Sequence, residues 1–283
     1  MAEILDGKGF AAICKENITR QVAELTARGH RPGLAVVLVG NNPASQVYVR
    51  NKENDCRECG IYSAMYTLPE ETTEAELLEL LDTLNHDDSV HGILVQLPVP
   101  KQIDPQKVIE AIDPKKDVDA FHPVNVGYLT AGMPRFAPCT PAGIVALMEH
   151  YQIDPAGKHC VVIGRSNIVG KPMALLLLQN NGTVTICHSG TKDLKAQTLQ
   201  ADILISAVGK TGFVTADMVK DGAVVIDVAM NRNAQGKLCG DVDYAAVAEK
   251  ASFITPVPGG VGPMTRVMLL ENTLTACRLQ LGL

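Results

Sequence analysis

Gly157-Lys158-His159-Cys160-Val161-Val162-Ile163-Gly164-Arg165-Ser166-Asn167-Ile168-Val169-Gly170-Lys171-Pro172 is the stretch on which the fold turns. β-Branched residues come first, then a turn of glycine and small polar residues, then Pro172 leading into Met173-Ala174-Leu175-Leu176-Leu177-Leu178. That order predicts strand, tight loop and helix, the opening of a dinucleotide-binding unit. Free N–H groups and the positive dipole end at a helix start attract a pyrophosphate, and glycine lets the backbone come close to it. The spacing here is G-x-S-x-x-x-G, not G-x-G-x-x-G. Taken alone, it fits equally well a strand-to-helix turn that binds nothing.

Working outward, strands and helices alternate on both sides of this turn. Before it, an amphipathic helix over residues 5–28 precedes the apolar strand 33–40, a helix from about 41 to 59, a strand 62–68, a helix with Thr73 as N-cap and Glu76 at the capping-box position, and a strand 92–98. After it come strands at 183–187, 203–208, 223–228 and 253–255, and a last helix at about 264–279. Residues 113–141 hold five prolines and two glycines and read as a loop-rich connection. The pattern predicts an α/β protein of two α/β domains facing a central cleft, the second a Rossmann-type doubly wound NAD(P)-binding domain. Expected boundaries are 1–120, a connection at 121–140, and 141–263, with the helix at 264–283 packing back on the first domain.

Composition narrows the class. The chain has 283 residues, 46% of them apolar and only 4% aromatic, which suits an aliphatic α/β core. A formal net charge of −6 without a Lys/Arg block argues against nucleic acid or an anionic membrane as partner. The first residues lack an apolar signal core and no apolar run approaches the length of a membrane span, so a cytoplasmic protein is expected. Eight cysteines in a chain this long are not the density of a disulfide scaffold, and reduced thiols are the default. Cys56 and Cys59 form a C-x-x-C, but the lack of a second pair or a His at zinc-finger spacing argues against a metal.

The second strand of a dinucleotide unit normally ends in a carboxylate for the ribose 2′-hydroxyl. Here Thr183-Val184-Thr185-Ile186-Cys187 is followed by His188-Ser189-Gly190-Thr191. Arg165 and Ser189 can instead bind a 2′-phosphate, which favours NADP over NAD, although Asp193 stands nearby. In the first half, Ser45, Tyr48 and Lys52 share one helix face. Gln96 ends a buried strand, where open α/β sheets place ligands. Asp117-Val118-Asp119 lies in the following loop, and Pro256-Val257-Pro258-Gly259-Gly260-Val261-Gly262-Pro263 offers rigid prolines and bare backbone suited to a flat ring.

Together, Pro43-Ala44-Ser45-Gln46-Val47-Tyr48-Val49-Arg50-Asn51-Lys52, residues 92–100, Lys116-Asp117-Val118-Asp119, Pro138-Cys139-Thr140-Pro141, residues 164–172 and residues 256–265 resemble the bifunctional methylenetetrahydrofolate dehydrogenase/cyclohydrolase family over essentially the whole chain. The resemblance implies NADP-dependent oxidation of 5,10-methylenetetrahydrofolate to the methenyl compound and its hydrolysis to 10-formyltetrahydrofolate, without a metal. It implies Lys52 as general acid/base of the hydrolysis, Tyr48 positioning it and packing on the pterin, Gln96 tuning it, and Asp119 holding the pterin. Ser45, Pro258 and Gly259 join these in binding substrate, and Gly164, Arg165, Ser166, Ser189 and Met230 lie at the cofactor. A homodimer built through the cofactor domain is implied as well.

Four positions depart from the family pattern: Ala120 in place of a glycine after Asp119, Ala229 and Met230 in place of the commoner Gly and Ile, and Val124 where an aromatic is common. Short-chain dehydrogenases also use Tyr-x-x-x-Lys, but with the glycine loop before the pair rather than after it. A dehydrogenase without the hydrolase step, or a silent NADP-binding regulator, has no reason to keep Lys52 and Gln96.

Overall fold

The computed structural model describes residues 1–283, apart from the side chain of Ala44. In chain order its elements are β1 (Glu3–Ile4), α1 (Gly7–Ala27), β2 (Gly33–Val39), α2 (Pro43–Glu58), β3 (Tyr62–Leu68), α3 (Glu74–Asn85), β4 (Gly92–Val95), α4 (Pro105–Ala111), α5 (Pro123–Thr130) and α6 (Cys139–His150). There follow β5 (His159–Ile163), α7 (Gly170–Gln179), β6 (Thr183–Cys187), α8 (Leu194–Thr198), β7 (Ile203–Ser206), β8 (Val224–Asp227), β9 (Asn231–Arg232), β10 (Leu238–Cys239), α9 (Tyr244–Ala248), β11 (Phe253–Ile254) and α10 (Val261–Leu281). The chain divides into two compact units, Met1–Ala12 with Thr140–Thr265 and Ile13–Cys139 with Arg266–Leu283. No helix among the described residues is long and apolar enough to cross a membrane.

The unit built on 13–139 carries a three-stranded parallel sheet in the order β3-β2-β4. Every residue of β2 is buried, as a seven-residue apolar run in the middle of a parallel sheet requires. Ala35, Val37 and Val39 share one face with Ile93 and Val95, and Leu77, Leu81 and Leu84 of α3 pack there. α3 starts where the capping box places it: the Thr73 hydroxyl accepts from the Glu76 N–H while the Glu76 carboxylate accepts from the Thr73 N–H. Residues 113–141 contain a helix, α5, where a loop was expected. Pro123 sits at its start and the His122 ring accepts from the Val124 N–H, so two of these loop-like residues are helix-start signals.

The other unit holds a six-stranded, all-parallel sheet ordered β1-β11-β8-β7-β5-β6. From β5 the chain steps outward to β6 and then returns to β7 on the opposite side, which makes the sheet doubly wound with its switch point between β5 and β7. Val161, Ile163, Leu204, Val225 and Ile254 line one buried face, and Cys160, Val162, Ile205 and Ile226 are buried as well. β1 pairs with β11, from Glu3 opposite Phe253 to Ile4 opposite Ile254. Residues 1–12 therefore group with this sheet rather than with the residues that follow them.

Candidate active site

Ser45, Tyr48 and Lys52 project from α2 at helical spacing, with Ser45 buried and Tyr48 about one-third exposed. The Asn42 side chain accepts from the Ser45 N–H at 3.1 Å and secures the helix start. Further along, Asp55 lies between Lys15 of α1, at 2.5 Å, and Arg266 of α10, at 3.0 Å, so two cations hold the middle of α2. Gln96 follows β4, and its N–H donates to Val37 O at 2.8 Å, continuing the sheet pairing by one residue. Its side-chain amide donates to Leu97 O at 2.8 Å, which leaves Oε1 to accept from Lys52 Nζ at 3.0 Å.

Burial pushes the Lys52 amine below the usual lysine range, against the opposing pull of Asp119 and the Cys139 and Cys56 thiols. Burial likewise raises the Asp119 carboxyl, against the charge of Lys52. The same dry surroundings thus shift both groups toward their neutral forms, while the charge of each partner opposes the shift.

The loop carrying Asp119 is pinned at several points. Asp117 accepts from the His122 N–H at 2.8 Å and from the Asn125 amide at 2.9 Å. Lys116 Nζ donates to Leu84 O and Asp87 O at the end of α3. The Asn272 amide donates to Val118 O at 2.8 Å and to Ala137 O at 2.9 Å. Ala120 holds a left-handed backbone, with φ of 59°. Here the chain makes the turn at which the resembled family has glycine. The Cys139 thiol donates to Val118 O at 3.4 Å and lies 3.7 Å from Asp119 Oδ1. The sequence motif containing Cys139 was visible, but neither its contact with Asp119 nor any part for Asn272 could be read from spacing.

In the six-stranded unit, the β5–α7 turn has the form needed to cradle a phosphate. Gly164 has φ of 125°, and a Cβ added there would lie 2.5 Å from Ala207 O. One added at Gly170 would lie 2.2 Å from Gly164 O, so both positions exclude any other residue. The Ser166 hydroxyl accepts from the Val169 and Gly170 N–H groups at 3.2 and 3.3 Å, and its proton remains available to donate outward. Arg165, Ser166 and Ser189 are exposed, as is Met230. Asp193 caps α8, accepting from the Ala196 N–H at 3.1 Å, which engages the carboxylate nearest the end of β6. In the Pro256–Pro263 run, Pro258 follows a cis bond and Gly259 O accepts from the Lys8 N–H at 2.8 Å.

All eight cysteines are free, and burial pushes the Cys56 thiol up to about 12. Cys56 and Cys59 are both fully buried, and among the described residues no three His, Cys, Asp or Glu side chains are grouped to hold a metal ion.

A doubly wound sheet with a glycine cradle at its switch point, in one chain with a half-buried lysine held by a strand-end glutamine, defines a two-unit α/β enzyme with a nucleotide-binding unit. The chain matches the family model of the tetrahydrofolate dehydrogenase/cyclohydrolase catalytic domain over residues 5–119 and that of the same family's NAD(P)-binding domain over residues 138–281. It is 60% identical over 281 residues to the bifunctional protein FolD of Paracidovorax citrulli, covering 99% of each chain. Among solved structures it is similar to the FolD methylenetetrahydrofolate dehydrogenase/cyclohydrolase of Campylobacter jejuni, with a TM-score of 0.97, 52% identity, and coverage of 99% of this chain and 100% of that one. It is also similar to the Trypanosoma brucei enzyme complexed with NADP and an inhibitor, with a TM-score of 0.95, 38% identity, and coverage of 99% and 98%. This chain belongs to the tetrahydrofolate dehydrogenase/cyclohydrolase family.

Proposed function

We propose that the chain oxidises 5,10-methylenetetrahydrofolate to 5,10-methenyltetrahydrofolate with NADP and hydrolyses that product to 10-formyltetrahydrofolate. The observation that carries this reading is the Lys52–Gln96 hydrogen bond at 3.0 Å around an amine whose burial favours its neutral form. A base working near neutral pH needs such an amine, because an ordinary lysine is almost wholly protonated there.

In the hydrolysis, water adds to the methenyl carbon and its proton passes to the Lys52 amine. The ammonium so formed returns a proton to N5 of the folate as the carbon–N5 bond breaks, and the hydroxyl proton of the adduct is released to water as its C–O bond becomes the carbonyl, leaving the formyl group on N10. Gln96 accepts one Lys52 N–H and thereby aims the lone pair. Asp119, as a carboxylate, matches the paired donors of the pterin ring, and Tyr48 and Ser45 complete this wall of the site.

The glycine cradle fits the cofactor: Gly164 and Gly170 leave the space that a pyrophosphate needs, and the start of α7 supplies N–H groups. Arg165 and Ser189 would hold the 2′-phosphate, and Ser166 would donate to the pyrophosphate. When bound, NADP supplies the hydride acceptor. Pro258 and Gly259 bind substrate and Met230 borders the cofactor.

A homodimer forms through the nucleotide-binding unit: β6 is an edge strand, and it leaves Ile186 exposed. Eight reduced cysteines suit a cytoplasmic enzyme.

Purified protein given methylenetetrahydrofolate and NADP is expected to yield NADPH and then the formyl product. Absence of both products overturns the reading. A lower KM for NAD than for NADP removes the part assigned to Arg165 and Ser189.

A further inference from the structure

Asp241 is fully buried, and five donors converge on its carboxylate. The Ser206 hydroxyl, at the end of β7, donates at 2.9 Å. Three consecutive backbone N–H groups follow, from Val208 at 2.7 Å, Gly209 at 3.2 Å and Lys210 at 2.6 Å. The fifth is the Asn231 amide at 3.0 Å, from the segment that leaves β8. Successive N–H groups curled around one point form a concave anion site, and here the chain fills it with its own carboxylate.

The segment bearing Asp241 is itself fastened. Asp227, the last residue of β8, accepts from the Asp241 N–H at 3.0 Å and the Val242 N–H at 2.8 Å. A Cβ at Gly240 would lie 1.9 Å from Asp227 Oδ2, so only glycine permits that approach. Asp241 thus ties together the loops that follow β7 and β8 at the carboxyl edge of the sheet. Ala207, which opens the first of these loops, touches the Gly164 position from the far side of the switch point. In a doubly wound sheet the dinucleotide lies across that point. With the pyrophosphate on the β5–α7 turn and the 2′-phosphate toward β6, the nicotinamide half would fall over the loops after β7 and β8.

We propose that Asp241 is a positioning residue of the dehydrogenase: its carboxylate sets residues 208–210 and Asn231 in the arrangement that receives the nicotinamide half of NADP. This rests on the functional reading above. An asparagine cannot replace it, because its NH2 group would face N–H donors and only one oxygen would remain to accept.

The test measures equilibrium binding of NADPH by fluorescence titration, the primary deuterium isotope effect on hydride transfer, and cyclohydrolase turnover, in wild type and Asp241→Asn. Expected are an NADPH Kd raised about tenfold, a changed isotope effect, and cyclohydrolase turnover within about twofold of wild type. A merely structural role would lower both activities together without altering the isotope effect, and that result overturns the proposal. So does a folded Asp241→Asn that binds NADPH as wild type does. If Asp241→Asn does not fold, Asn231→Ala carries the test, since it removes one donor and leaves four. It is expected to weaken NADPH binding several-fold with hydrolysis intact, and unchanged binding overturns the proposal. A wild type that fails to bind NADPH would instead sink the functional reading.

Discussion

Lys52 shows how far single residues can be read from sequence. Its helix-face relation to Ser45 and Tyr48 follows from spacing alone, and Gln96 was legible as the end of a buried strand. The distance that makes them a pair, 3.0 Å across 44 residues of chain, was not, because nothing local encodes it. Cys139 and Asn272 belong with them for the same reason: each reaches the Asp119 loop from a distant part of the chain. Ala120 is the opposite case, a local departure whose consequence could be anticipated. A left-handed backbone costs an L residue about 1–2 kcal/mol, and Ala120 accepts it while fully buried. Ala120→Gly relieves that cost but loses a buried methyl worth about 0.8 kcal/mol and frees the unfolded chain. Its stability should therefore stay within about 1 kcal/mol of wild type. Ala120→Val combines a β-branched side chain with this backbone in a packed site and should destabilise by about 2–4 kcal/mol. Urea unfolding midpoints of the two variants check both signs.

At the scale of elements, long periodic or continuous apolar runs were read at close to their observed bounds, and the elements missed were short ones. β3, β6 and the capping box of α3 carry their own signals in alternation, β-branching and cap chemistry. β1 has two residues, too few for any period, and exists only because β11 pairs with it some 250 residues later. α5 was hidden by its proline, a residue that opens helices as readily as it breaks them. The β5–α7 turn lacks the usual glycine spacing, yet Gly164 and Gly170 meet in space. Gly170→Ala drives a methyl into the Gly164 carbonyl, so it should weaken NADPH binding about tenfold or more and lower stability by about 1–3 kcal/mol. Fluorescence titration with NADPH and a melting curve check this, and cyclohydrolase turnover of the folded variant should persist.

Over the whole molecule, composition set the class, an aliphatic α/β chain without a basic block, and the order of motifs separated it from short-chain dehydrogenases. The grouping of residues 1–12 with the six-stranded sheet was beyond sequence reading, since it depends on pairing between the two ends of the chain. The chemistry is divided likewise. Lys52 and Gln96, proposed to serve hydrolysis, belong to one unit, whereas the glycine cradle and Asp241, proposed to serve the nicotinamide cofactor, belong to the other. The most direct measurement is therefore the ratio of the two activities in Lys52→Met, with methylenetetrahydrofolate and NADP for one and methenyltetrahydrofolate for the other. The buried amine acting as general base predicts hydrolysis lowered by about a hundredfold or more while a measurable part of hydride transfer remains. Equal loss of both activities in a folded variant would contradict it.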